Sequence, residues 1–389
     1  DLERKLKKLK IDAEVFVGGS FAKRTAIKKD KYDVDIFVRF DKKYNNSELS
    51  WLLKKVLEGF NNVVAVHGSR DYYRVLISRD FFFEIVPVRK IKKLEEAENV
   101  TDLSFSHVSY IRKKIKSKKI LNDIKLAKAF CYANNCYGAE SYIHGFSGYG
   151  LELLVYYYGG FVKFLKAMIK VKDKEVVDIE KHFKNKKEVL MNLNAAKLSS
   201  PVVLVDGTFK QRNALAGLSH ETFEKFRKVS SEFLKNPELS YFDLKKIDFK
   251  SLERNAIKNK LDFVLVKLET CRQEGDIAGS KLKKFFDHLN FEIGGFFDVK
   301  EKGFEYGGAQ SARGFFSVKS KKEILVSGPF VEDKKNVSLF KKKHKKTFVK
   351  SGKVYSKEKA PENLKDFLKE WKVKNKVKIE GMGICGVLV

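Results

Sequence analysis

Cysteine is scarce, with four in 389 residues: Cys131, Cys136, Cys271 and Cys385. Cys131 and Cys136 lie close in sequence, but no second pair at zinc-ligand spacing accompanies them, which excludes a zinc-finger framework and a disulfide scaffold. They read as core thiols of a reducing compartment, which predicts a cytoplasmic protein. Long apolar runs are also missing. The longest stretch, Leu151 to Leu165, is interrupted by Glu152, Gly159, Gly160 and Lys163, so no membrane span and no membrane partner are expected. His67, His144, His182, His220, His288 and His344 have no metal-ligand spacing. Proline numbers five, and neither an internal repeat nor a low-complexity linker is found. Acidic residues are outnumbered, 50 against 80 Lys and Arg, for a formal net charge of +30. That excess predicts a polyanionic partner, with nucleic acid first. The sequence begins at Asp1 with no Met, so its first residues are expected to be missing.

What is present is a globular composition, 43% hydrophobic and 13% aromatic. The length predicts roughly two to four domains. The organising stretch runs from Val15 to Arg39. Val15, Phe16 and Val17 read as a short buried strand, Gly18 and Gly19 as a sharp turn, and Ser20 as a helix N-cap. Backbone N–H groups and a helix dipole at one place make an anion site, and Lys23 and Arg24 add positive charge. In the following strand Asp33 and Asp35 are two residues apart and share a face, while Val34, Ile36 and Val38 face a core. Two carboxylates so placed repel unless a proton or a hard cation sits between them; beside a phosphate site, Mg²⁺ is the economical reading. Glu84, a lone acid in the apolar strand Phe81 to Val88, is the candidate third ligand of a two-metal site, because burial demands a charged partner for it.

The remaining chain reads as alternating elements. A basic helix over 1–11 leads in, an amphipathic helix spans Ser47 to Phe60, and strands fall at Val63–Val66, Tyr73–Ile77 and Phe81–Val88. Helices follow at Lys118 to Asn135, Leu151 to Met168 and His220 to Leu234, with a strand at Val202–Val205. The last third carries strands at Phe263–Leu268, Phe291–Val299, Gly314–Val318 and Glu323–Val326, a helix at Ala278–Leu289, a break at Ser327-Gly328-Pro329 and a basic run, Lys341 to Lys346. The predicted fold class is α+β: a mixed-sheet palm with helices over 1–113, a mostly helical central domain over 114–240, and an α/β C-terminal region over 241–389.

GGSFAKRT with DVDIFV, then EIVPV, YGAE, HGFSGYGLELLVYYYG, VDGTFKQRNALAGLS and GPFVEDKKNV occur in that order. The GS and DxD pairing resembles the palm of the DNA polymerase beta-like nucleotidyltransferases. The whole series, from about residue 12 to 352, resembles the class I, archaeal-type CCA-adding enzymes, the tRNA nucleotidyltransferases. The resemblance implies template-independent addition of C, C and A to the 3′ end of tRNA from CTP and ATP with Mg²⁺, releasing pyrophosphate. It also implies a tRNA acceptor end as partner and self-association as a homodimer. By motif position it assigns Asp33, Asp35 and Glu84 to metal binding and catalysis. Ser20, Lys23, Ser104, His107, Lys128 and Tyr137 fall to the triphosphate, and Arg212 to the base edge, for which a guanidinium fork is well suited. The chain departs from the family pattern in having Glu84 for Asp, Leu103-Ser104-Phe105 for Arg-Thr-Pro, and Asp206-Gly207-Thr208 for a DPVD-like turn. Its C-terminal third is short and divergent, and the Lys341–Lys346 run is a candidate phosphate contact. The competing readings are another terminal RNA nucleotidyltransferase, such as a poly(A) polymerase, and a catalytically weak RNA-binding homologue.

Overall fold

Alternation of apolar and polar side chains builds the first sheet. The computed structural model describes residues 1–389 apart from 30, 31, 69, 92, 94, 95, 245 and 246. The strands are β1 (Ala13–Val17), β2 (Tyr32–Phe40), β3 (Val63–Val66), β4 (Tyr72–Ser78) and β5 (Phe81–Arg89), in the order β1-β2-β5-β4-β3. Only β2 and β5 pair in parallel; the other pairings are antiparallel. Val38, Phe40, Val75 and Ile85 form a core with helices α1 (Leu2–Lys8) and α3 (Leu49–Leu57). The latter buries Leu49, Leu52, Leu53, Val56 and Leu57, the three-and-four spacing of an amphipathic helix. A smaller apolar cluster, Phe37, Val86 and Val88, lies on the alternate positions of β2 and β5, the set to which Asp33, Asp35 and Glu84 also belong.

Between β1 and β2 the turn is tighter than the sequence predicts. Helix α2 (Gly19–Ala22) is a single turn capped at Gly18, so Ser20 lies inside it rather than at the N-cap. One turn sums few peptide dipoles, and the anion site proposed here therefore rests on backbone N–H groups and nearby cations more than on a macrodipole.

Helices α4 (Ser104–Lys114) and α5 (Lys118–Ala133) continue the same compact unit, which spans Asp1–Lys245. Buried Asp102, just before α4, accepts from Arg70 Nη1 at 2.6 Å and ties the start of this helix to the sheet. Helix α4 carries no strong apolar stripe, and its residues do not predict a helix. Next come α6 (Gly148–Tyr158), α7 (Phe161–Ile169), β6 (Glu175–Asp178), α8 (Lys186–Asn192), β7 (Val202–Val205) and α9 (His220–Lys235). Strands β6 and β7 pair in parallel. A core of Phe130, Phe146, Phe161, Phe164 and Phe226, each at most 4% exposed, binds the helices together. The single helix expected over Leu151 to Met168 is two, because Gly159 and Gly160 take φ of 73° and 130° and end α6.

The second unit spans Lys246–Val389. It contains α10 (Phe249–Lys258), β8 (Asp262–Glu269), α11 (Asp276–Phe296), β9 (Phe297–Tyr306), β10 (Ser311–Ser320), β11 (Glu323–Phe330), α12 (Lys334–Lys343), β12 (Thr347–Lys350), β13 (Lys353–Lys359), α13 (Leu364–Lys374), α14 (Lys376–Gly381) and β14 (Gly386–Leu388). Its sheets run β14-β8-β10-β9 and β11-β13-β12, and α11 and α13 cover the first with Phe285, Phe286, Leu289, Leu364 and Trp371. Helix α11 continues to Phe296, so the strand expected from Phe291 begins only at Phe297. Strand β11 passes through Ser327-Gly328-Pro329 with a register shift instead of stopping there.

Candidate active site

Parallel pairing of β2 with β5 sets Asp35 opposite Glu84, and Asp33 two residues earlier shares their face. Burial first, then repulsion from Asp33 and Glu84, pushes the Asp35 carboxyl up to about 6. Gly19 is obligatory beside it: at φ 57°, a Cβ there would lie 1.6 Å from Asp35 Oδ2. The turn is thus packed onto the carboxylate. Asp33 has Lys29 Nζ at 3.8 Å, whereas Glu84 Oε1 accepts from Arg74 Nε at 2.9 Å and Nη2 at 2.7 Å. Arg74 is the cross-strand neighbour of Glu84 on β4. The charged partner that the sequence required for Glu84 is therefore present as a guanidinium. Among the described residues no group of three carboxylate, His or Cys side chains is arranged to hold an ion. The Asp33 and Asp35 pair nevertheless suits a hard divalent cation in its donor chemistry: two carboxylates on one face, one of them buried and repelled by its neighbours.

Ser20, Asp33 and Tyr137 line one cavity of about 490 Å³, with Thr25 and Lys29 beside them and Val34, Ile36, Phe81 and Phe83 as its apolar wall. The Lys29 ammonium stands 5.5 Å from the Tyr137 ring centroid. Burial pushes the Tyr137 phenol well above its ordinary value, so it acts as a neutral hydroxyl.

Helix α6 gathers four more of the expected residues through acceptors that the sequence reading had not chosen. Its Glu152 is fully buried. Oε2 accepts from Lys23 Nζ at 2.8 Å, while Oε1 accepts from Lys128 Nζ at 2.7 Å and Thr25 Oγ1 at 2.6 Å. Lys128 Nζ also donates to Thr25 Oγ1 at 2.9 Å. Burial would raise the Glu152 carboxyl, but the charges of Lys128 and Lys23 overcome it and hold it at about 2. One turn earlier on α6, Tyr149 stacks on His107 with centroids 4.1 Å apart.

Both rings meet Asp206, in the loop after β7. Its Oδ2 accepts from Arg212 Nη1 at 2.6 Å and lies 3.0 Å from His107 Nε2; its Oδ1 accepts from Tyr149 Oη at 3.0 Å and from Thr208 N and Oγ1 at 2.8 Å each. Burial would raise Asp206, yet the His107 hydrogen bond, the Arg212 charge and the Thr208 N–H hold it well below the usual carboxylate range. Burial also pushes the His107 imidazole down, against the opposing hydrogen bond and charge of Asp206, and Arg212 adds a second cation beside the carboxylate. Ser104 opens α4, one turn before His107; among the described residues no hydrogen bond joins it to this cluster.

The sequence reading thus missed Thr25, Tyr149, Glu152 and Asp206. Glu152 did carry a signal, as the lone acid in the apolar run that became α6. Asp206 stood only in an Asp-Gly-Thr turn that departs from the family pattern, with nothing local to give it a role.

Residues 1–125 match the model of the nucleotidyltransferase domain, and residues 122–243 that of the second domain of tRNA nucleotidyltransferases. The CCA-adding enzyme of Nanoarchaeum equitans is 41% identical over 240 residues, 61% of this chain and 59% of that protein. The Methanocaldococcus jannaschii CCA-adding enzyme is 28% identical over 360 residues, 88% of this chain and 77% of that protein. That of Sulfurisphaera tokodaii is 29% identical over 286 residues, covering 71% and 64%. The aligned region spans about three fifths of the Nanoarchaeum relative. No described helix is long and apolar enough to cross a membrane. The chain thus carries a nucleotidyltransferase domain followed by a second domain like that of the tRNA nucleotidyltransferases.

Proposed function

We propose that this protein adds CCA to the 3′ end of tRNA, taking CTP and ATP as substrates and releasing pyrophosphate. Residues 1–113 would form the catalytic palm, 114–240 the nucleotide-binding layer and 241–389 the body that grips the tRNA, and the net charge of +30 over the whole chain suits a polyanionic partner. The observation that carries the reading is the convergence of Lys23, Lys128, His107 and Arg212 on two buried carboxylates reached by one helix, beside the Asp33 and Asp35 pair.

In this reading Asp33 and Asp35 hold a divalent cation, Mg²⁺ by preference, with Glu84 as a third ligand when it exchanges Arg74 for the metal. When bound, a divalent cation would supply acidity toward the 3′-hydroxyl and charge shielding for the pyrophosphate. Lys23 and Lys128 offer ammonium groups to the triphosphate, and Ser20, with the Gly19 turn, offers hydrogen-bond donors. Tyr137 contributes a neutral hydroxyl. Arg212 reads the acceptor edge of the incoming base, its guanidinium oriented by Asp206.

The deciding experiment is extension of a tRNA transcript ending at the discriminator base, resolved to single nucleotides, with Mg²⁺ and CTP, ATP or both. Two additions from CTP and a third only with ATP are expected. A long A ladder would mean a poly(A)-type transferase, and a bound but unextended tRNA would mean a catalytically weak homologue.

Arg212→Ala should lower kcat/KM for C and for A incorporation about 10–100-fold, the loss of a charged hydrogen bond of about 1.5–3 kcal/mol. Wild-type rate and base selection in single-turnover assays would leave Arg212 as a structural partner of Asp206 only.

A further inference from the structure

A carboxylate with no exposed surface, set between two lysines, has a task that packing alone does not require. Glu152 reaches Lys23, 129 positions away in the palm turn, and Lys128, 24 positions away on α5. Thr25 bridges the two sides, donating to Glu152 Oε1 and accepting from Lys128. Lys23, Lys128 and Glu152 together carry two cations and one anion, with the Lys23 charge also within electrostatic reach of Asp35. The groups facing the Lys128 ammonium are Glu152, Lys23, Lys29 and, next to Gly148, the Tyr137 hydroxyl. Both Tyr137 and Thr25 line the cavity beside Asp33.

We infer that Glu152 is a positioning residue for the incoming triphosphate: it fixes Lys23 and Lys128 relative to each other and keeps Lys128 charged while leaving net positive charge for the phosphates. The inference rests on the nucleotidyl-transfer reading above. Burial, together with the neighbouring Lys23 and Lys29 charges, pushes Lys128 below its ordinary value, and Glu152 is the group opposing that. Without it the buried Lys128 ammonium, still facing Lys23 and Lys29, would lose its proton more readily and attract phosphate less. With it, a triphosphate meets an ammonium already charged and already aimed, so little ordering is left for binding to do. Glu152 touches neither substrate nor reacting atoms in this scheme; it acts through the lysines.

The test is equilibrium binding of CTP to the full chain with Mg²⁺ and without tRNA, by calorimetry, from pH 7 to pH 9. Wild-type affinity should stay constant within about twofold, because the Glu152 carboxylate opposes loss of the Lys128 proton. Glu152→Gln should bind CTP within about threefold of wild type at pH 7 and about tenfold or more weaker at pH 9. Equal affinity of the variant and wild type at every pH would overturn the proposal. So would a loss that is the same at every pH, since that marks a purely structural role. Glu152→Asp keeps the charge on a shorter arm. It should weaken binding about three- to tenfold with no pH dependence, and wild-type affinity in this variant would also overturn the proposal, even where Glu152→Gln does not fold. A wild-type protein that binds neither CTP nor ATP would instead overturn the nucleotidyl-transfer reading, and this inference with it.

Discussion

Asp35→Asn is expected to cut nucleotide addition by about a thousandfold or more while making the metal-free protein more stable. Both effects follow from one observation. The Asp35 carboxyl is pushed up to about 6 by burial and by the nearby Asp33 and Glu84 carboxylates. At neutral pH the folded chain must hold it ionised against that pressure, at a cost of about 2–3 kcal/mol relative to the unfolded chain. The sign is set by the raised value. Between about pH 4 and pH 6 the folded state binds more protons than the unfolded state, so metal-free stability falls as pH rises through that window and stays low above it. Asparagine keeps the shape without the charge, so it removes that pH dependence and the ability to hold a hard cation. Melting in EDTA between pH 4 and pH 8, with tRNA extension by the same variants, measures both. Wild-type extension by Asp35→Asn would remove the metal assignment. A variant less stable than wild type at pH 7 would mean that the carboxylate has a compensating partner in the apo protein.

Asp206→Ala should produce the largest stability loss, about 3–5 kcal/mol, because it leaves the half-buried Arg212 guanidinium, the buried His107 N–H and the Tyr149 and Thr208 donors without their shared acceptor. For a unit of this size that lowers Tm by about 10 °C. The pH dependence runs opposite to that of Asp35. Asp206 is held below the usual carboxylate range, so its contribution is full above its unfolded value near pH 4 and is lost as pH falls further. Thermal melts of the two variants should therefore diverge in opposite directions across the acid range. Addition of C and A should fall at least as far in Asp206→Ala as in Arg212→Ala, since the first frees both Arg212 and His107. A Tm within a degree or two of wild type would show that Asp206 is dispensable to the fold and that the five donors find other acceptors.

These two carboxylates, with Glu152, show how differently a site is written in a chain. Whatever depends on alternation or on a local turn was readable from residues alone. Asp33 and Asp35 share a face because a strand repeats every two residues, and a strand was legible in Tyr32 to Val38. The turn at Gly18 and Gly19 was legible as glycine, since no side chain fits against Asp35 there. Helices with strong apolar spacing, such as α3 and α9, were found close to their true ends. Single elements failed where a local pattern was ambiguous. An apolar stretch from Leu151 hid a break that only the positive φ of Gly159 and Gly160 makes, and Phe291 to Phe296 belongs to a helix despite its aromatic content.

Contacts between distant segments were beyond any local pattern. Glu84 stands beside Asp35 only through the parallel register of β2 with β5, and meets Arg74 only through the antiparallel register of β4 with β5. Lys128 and Lys23 were expected to face phosphate, yet nothing in sequence tied either to Glu152; the 129-residue span from Lys23 closes when the palm turn and α6 pack together. His107 and Asp206 are 99 residues apart and become partners the same way. The sequence by itself determined which chemistry is available: paired acids, a glycine turn, lysines and an arginine. The tertiary structure decided which acid holds which base. Burial strips water from these groups, and each charge must then be met by whichever opposite charge the packing brings within hydrogen-bond reach.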